Sequence, residues 1–123
     1  MASPPLVSVV DDDESVRESL PDLLREFGYR VQTFASAEEF LASSAVTETH
    51  CLLLDITMPG MSGPALQQEL ARQRHSIPIV FITANTDENL RPQLLQAGAV
   101  ECLFKPFSES ALVAAVTLAL RAA

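Results

Sequence analysis

The stretch LVSVVDDDES, Leu6 to Ser15, carries an apolar run straight into three aspartates and a glutamate. Short, mostly continuous runs of branched residues have the look of strands covered on both faces. The acids therefore stand at the mouth of a buried element, where mutual repulsion and desolvation both oppose them. Working outward, CLLLD (Cys51 to Asp55), IPIVFIT (Ile77 to Thr83) and VECLF (Val100 to Phe104) share the character of the first run. YRVQTF (Tyr29 to Phe34) alternates more and reads as a strand nearer an edge.

Helical patterns lie between these runs. SVRESLPDLLREFG places Val16, Leu20, Leu23, Leu24 and Phe27 on one face and closes at Gly28, a C-cap signal. SAEEFLASS opens with Ser36 three residues before Glu39, a capping box. GPALQQELARQ has Pro64 where a first helical turn tolerates it. DENLRPQLLQAG closes at Gly98, and SESALVAAVTLALRAA begins with Ser108 as N-cap. Such alternation of strands and helices means parallel strands joined by right-handed crossovers, with helices on both faces of one sheet. Pro21 and Pro92 fall inside helical patterns, so we expect a kink at Pro21 and a late or irregular fourth helix.

The 123 residues suit one domain, and Pro4 and Pro5 read as a short leader. No apolar run reaches the roughly 18 residues of a membrane span, and no basic region precedes the first one, so the expected location is the cytoplasm. The formal charge of −8 opposes binding to nucleic-acid backbones by this segment. Cys51 and Cys102 each lie in an apolar run and read as reduced core residues. His50 and His75 stand beside polar neighbours and read as exposed or capping.

In an open parallel sheet, ligands bind beyond the carboxyl ends of the strands. The first strand here ends at Asp11 and Asp12, the third at Asp55, the fourth at Thr83, and the fifth runs into Lys105. A converging set of carboxylates is costly unless a cation neutralises it, and hard oxygen ligands with few protein partners suit Mg²⁺. Each residue also has a plainer reading: Asp11 and Asp12 as acids preceding a helix that starts near Ser15, Thr83 as an ordinary strand threonine, Lys105 as a solvated loop lysine. Asp13 and Glu14 read as negative charge in the first helical turn.

Taken together, VVDDDES, LLLDITMPGMSG, VFITA and LFKPF resemble the receiver domain of two-component response regulators, over the whole chain, residues 1–123. DITMPGMSG with AGAVECLFKPF is most similar to receivers of the nodulation, nitrogen-fixation and aromatic-degradation type. The resemblance implies a flavodoxin-like, three-layer (βα)5 sandwich with strand order 2-1-3-4-5. It also implies a phosphoacceptor at Asp55 and a Mg²⁺ site formed by Asp11, Asp12, Asp55 and the backbone carbonyl of Thr57. Thr83 and Lys105 would contact the phosphoryl group, and Pro106 would follow a cis peptide bond. The implied partner is a sensor histidine kinase, with a phosphorylation-dependent homodimer and a transcriptional output through a DNA-binding domain outside these residues. The domain would be a switch rather than an enzyme acting on other substrates, catalysing only its own phosphotransfer and dephosphorylation.

Cys102 departs from this pattern, because the family usually carries Tyr or Phe three residues before the lysine. Either the switch is muted or Phe104 or Phe107 takes over part of it. Two other classes fit less well. A phosphatase or phosphotransferase with an aspartyl-phosphate intermediate usually shows an acid two residues after the nucleophile, where this chain has Thr57, and a capping insertion that does not fit in this length. A flavin-binding module would want a hydroxyl- and glycine-rich loop after the first strand, and DDDES would repel its phosphate.

Overall fold

The computed structural model describes residues 3–84, 87 and 89–122. Met1 and Ala2 of the leader, Glu88 of the expected fourth helix and Ala123 of the expected fifth lie outside the described residues. The chain runs β1 (Leu6–Val10), α1 (Glu14–Glu26), β2 (Arg30–Phe34), α2 (Ala37–Leu41), a 3-10 turn (Ser44–Thr47), β3 (Cys51–Asp55), α3 (Gly63–Arg72), β4 (Ile79–Thr83), α4 (Leu90–Gln96), β5 (Glu101–Phe104) and α5 (Glu109–Ala122). All four strand pairings are parallel and the order is β2-β1-β3-β4-β5.

The period of two along each strand divides the core between the two faces. One face packs Val10, Leu52, Leu54 and Phe81 against Phe40 of α2, Leu66 and Leu70 of α3, and Leu94 of α4. The other packs Val7, Val9, Leu53 and Ile82 against Leu20 and Leu24 of α1, and Leu112 and Val116 of α5. Every residue of β1, β3 and β4 is buried, whereas β2 is partly exposed throughout, as its alternation and edge position require. Ser8, a polar residue inside β1, is accommodated because its hydroxyl meets that of Thr49 at 2.6 Å, and Thr49 Oγ1 donates to the Ala45 carbonyl at 2.7 Å. His50 does cap: its Nδ1 accepts from Leu6 N at 3.0 Å.

Several local expectations shift. Asp13 precedes α1 and is its N-cap, its Oδ1 accepting from Ser15 N at 2.9 Å, rather than a first-turn acid. Pro21 does lie inside α1, as the helical pattern predicted, and is buried. α2 stops at Leu41, and the remainder of SAEEFLASS turns into the 3-10 segment. Ser36 accepts from Glu39 N at 3.1 Å, while Glu39 reaches back to Ala35 N at 2.7 Å, one residue further than in the usual box. α4 starts at Leu90, so Pro92 falls in its first turn, where an N–H would have had no intrahelical partner. The late start expected from Pro92 is thus what lets the proline be tolerated.

Candidate functional site

Parallel order brings the carboxyl ends of β1, β3, β4 and β5 to one edge, and the site grows from the residues that end them. Asp11 follows β1, and its N–H donates to the Phe34 carbonyl at 3.1 Å. Its carboxylate is fully buried and held on both oxygens, Oδ1 accepting from Asp13 N at 2.9 Å and Oδ2 from Lys105 Nζ at 2.9 Å. Asp55 closes β3 with only 7 % of its surface exposed, while Asp12 is exposed at the rim. Asp11, Asp12 and Asp55 each present an oxygen within 4.8 Å of the others. Thr83 ends β4 and is buried, and its carbonyl accepts from Lys105 N at 2.7 Å. The Lys105–Pro106 peptide is cis. These residues, with Asp13, Thr57 and Ala84, line an open cleft of about 200 Å³. Every sequence-selected site residue except Cys102 is therefore at one cleft or, for Pro106, adjacent to it.

Charge in the cleft is poorly balanced. Burial, then the neighbouring Asp11 charge, lift the Asp55 carboxyl from its ordinary 3.8 to about 7, against the opposing pull of Lys105. Burial would lower the Lys105 ammonium, but the hydrogen bond and charge of Asp11, with Asp55 and Asp13 beyond, outweigh it and raise the group. The cleft thus sets one ammonium against four carboxylates, those of Asp11, Asp12, Asp13 and Asp55. The cluster consists of oxygen donors only, and among the described residues it is the group of acids, cysteines or histidines close enough to hold an ion. Few hard ligands on an open, solvent-accessible rim match a small divalent cation that keeps several waters, so the residues present fit Mg²⁺.

Two contributors, Arg17 and Glu38, escaped sequence reading, while Gly63, expected with Gly60 to serve backbone conformation in the loop after Asp55, contributes in a different way. Arg17 Nη1 donates to the Asp11 carbonyl at 2.9 Å from six residues along the chain. Glu38 Oε2 accepts from Met61 N at 3.2 Å and lies against Gly60, whose φ of 77° turns the loop after Asp55. Gly63 has no positive φ, yet a Cβ there would lie 2.3 Å from the Asp55 carbonyl oxygen. Its role is close approach of α3 to the end of β3 rather than turn conformation, a distinction invisible in the string GMSG. For Arg17 and Glu38 no spacing signal exists, because both contacts depend on where a helix docks.

Cys102 is 3 % exposed and faces the α3–α4 side among the residues around Leu94 and Phe81. Burial raises both thiols, that of Cys51 to about 12, so neither is a thiolate at neutral pH. Of the two rings considered as substitutes, Phe104 packs on that same side and is paired with Thr83 in the sheet register. Phe107 packs on the α1–α5 side.

A five-stranded parallel sheet of this order with a ligand-sized acidic cleft at its carboxyl edge defines the class of flavodoxin-like α/β domains, and sequence comparison narrows the class. The model of the response regulator receiver domain matches residues 7–117, and the chain belongs to this family. It is 45 % identical over 114 residues to Nodulation protein W of Bradyrhizobium diazoefficiens, covering 93 % of this chain and 50 % of that protein. Response regulator protein TmoT of Ectopseudomonas mendocina is 40 % identical over 118 residues, covering 96 % and 54 %. The chain thus spans about half the length of these relatives. Among solved structures, FixJ-N superposes with a TM-score of 0.87 at 34 % identity, covering 98 % of this chain and 96 % of that one. Response regulator StyR gives 0.88 at 49 % identity, covering 97 % and 60 %. The subfamily suggested by DITMPGMSG and AGAVECLFKPF is the one to which these relatives belong. Among the described residues, no helix is long and apolar enough to cross a membrane.

Proposed function

We propose that this receiver domain, acting in the cytoplasm, takes a phosphoryl group from a sensor histidine kinase onto Asp55, with Mg²⁺, and controls a transcriptional output carried on chain outside these residues. The observation that carries the reading is the convergence of Asp11, Asp12 and Asp55 within 4.8 Å beside Lys105. A carboxylate attacking phosphohistidine needs no general base; it needs positioning and neutralised charge, which supply most of phosphoryl-transfer catalysis. Mg²⁺, held by Asp11, Asp12, Asp55 and the Thr57 carbonyl, would neutralise charge on the transferring oxygens. Asp55 forms the new P–O bond as the P–N bond to the kinase imidazole breaks. Lys105 exchanges part of its pairing with Asp11 for a phosphoryl oxygen, and the Thr83 hydroxyl donates to another. Water later hydrolyses the acyl phosphate, so the domain resets itself and turns over no other substrate.

The relatives named as response regulators support the kinase partner, and regulators such as FixJ of Azorhizobium caulinodans, described as a transcriptional regulatory protein, support the output. A phosphorylation-dependent homodimer is the proposed route between them. Incubation with acetyl phosphate or a histidine kinase and Mg²⁺ tests the reading by intact-mass measurement. One phosphoryl group should add to the unmodified chain and none to Asp55→Asn; equal labelling of the variant would overturn the assignment.

A further inference from the structure

We infer that Arg17 is a positioning residue for the metal-binding loop, acting through the Asp11 peptide; the inference rests on the reading of that loop given above. The ladders of β1 to both neighbours end at Val10, so the Asp11 carbonyl lies beyond the sheet. Arg17 reaches back from α1, half-buried, and donates Nη1 to that carbonyl at 2.9 Å. The remaining polar atoms of Asp11 are held as well, its N–H by Phe34, Oδ1 by Asp13 and Oδ2 by Lys105. A peptide unit is rigid and planar, so fixing the Asp11 carbonyl also fixes the Asp12 N–H and the Asp12 Cα, which lie in the same plane, and with them the point from which the Asp12 side chain departs. Asp12 is the exposed member of the acidic cluster, with no burial to hold it. The guanidinium therefore sets the approach of Asp12 through the backbone, a supporting contact of the kind that orients metal ligands.

Charge alone would act in the opposite direction. A guanidinium close to the cluster repels a divalent cation, so if Arg17 acted only as a charge, removing it would tighten Mg²⁺ binding. Arg17→Met separates the two, because it keeps the aliphatic stem and nearly the same helix propensity. Isothermal titration with Mg²⁺ is expected to show affinity weakened roughly tenfold in Arg17→Met. Hydrogen exchange of the metal-free variant should be faster at Asp12 and Asp13, with α1 amides unchanged. Mg²⁺ binding as tight as in the unmodified chain, or tighter, would overturn the inference, as would uniform loss of protection along α1. If instead the unmodified chain binds no Mg²⁺, or Asp12→Ala binds it equally well, the reading of the loop as a metal site fails.

Discussion

Replacing Gly63 by alanine tests whether the close approach of α3 to the end of β3 is real. The added Cβ would lie 2.3 Å from the Asp55 carbonyl oxygen, 3.0 Å from Ile56 Cα and 3.1 Å from the Asp55 carbonyl carbon, all backbone atoms that cannot swing aside. Restoring ordinary contact requires a retreat of roughly 1 Å. The Gly63 N–H donates to the Ile56 carbonyl at 2.9 Å, and that bond would be stretched out of range. Overpacking at about 1–3 kcal/mol and one lost hydrogen bond at about 1 kcal/mol give a destabilisation of about 2–4 kcal/mol. For a chain of this size that is a fall in Tm of roughly 8–15 °C. Gly28→Ala is the control: its φ is 89° with nothing within 4 Å, so only backbone strain of about 1 kcal/mol is at stake. Thermal unfolding of both variants in EDTA, followed by circular dichroism, should rank Gly63→Ala well below Gly28→Ala. Equal or reversed losses would refute the reasoning. Because the displaced carbonyl belongs to Asp55, weaker Mg²⁺ binding should accompany the lower Tm.

Asp55 has a carboxyl raised to about 7, so its charge opposes folding above that pH, and the opposition fades as pH falls through that value and is gone below the ordinary 3.8, where the group is protonated folded and unfolded alike. Asp55→Asn should therefore raise metal-free Tm at pH 8, with the gain shrinking toward pH 5; a constant gain across that window would contradict the burial argument. Thr49→Val leaves the buried Ser8 hydroxyl without its partner and should cost about 1–3 kcal/mol in urea unfolding, whereas Ser8→Ala with Thr49→Val together should cost less than the two single changes added. Lys105→Ala should leave Mg²⁺ titrations largely intact yet slow acetyl-phosphate labelling; a lost metal site with unchanged labelling would reverse its role. Cys102→Phe enlarges a side chain that is 3 % exposed and should destabilise the resting form by about 1–3 kcal/mol, while strengthening phosphorylation-dependent dimerisation in sedimentation runs. Dimerisation that is already strong and unaffected by the change would show that Cys102 is no handicap.

The fold was legible because strands buried on both faces leave a simple signature. LVSVV and CLLLD mark β1 and β3 residue for residue, since nothing polar within them is needed on a solvent face. Boundaries moved where flanking residues are apolar for other reasons: Ile77 packs under the sheet without joining β4, and Val100 precedes β5 while its N–H bonds to the Ile79 carbonyl. The strand-end residues were legible for the same reason. A parallel sheet aligns all carboxyl ends, so collecting Asp11, Asp55, Thr83 and Lys105 needed only the strand assignments.

What the sequence hid is the layer that supports those residues. Arg17, Glu38 and Gly63 touch the site's backbone at the Asp11 carbonyl, the Met61 N–H and the Asp55 carbonyl, and each contact depends on how a helix docks rather than on a residue spacing. The output face shows the same limit. Cys102 is identifiable as a departure from family pattern, but choosing between Phe104 and Phe107 required knowing which side of the sheet each occupies. Register settles the geometry: Phe104 is the cross-strand neighbour of Thr83 on the α3–α4 side, whereas Phe107 lies across the sheet against α1 and α5. If phosphorylation moves the Thr83 hydroxyl, the Phe104 ring is therefore the one expected to respond first, because side chains on one face of paired strands are neighbours and those on opposite faces are not.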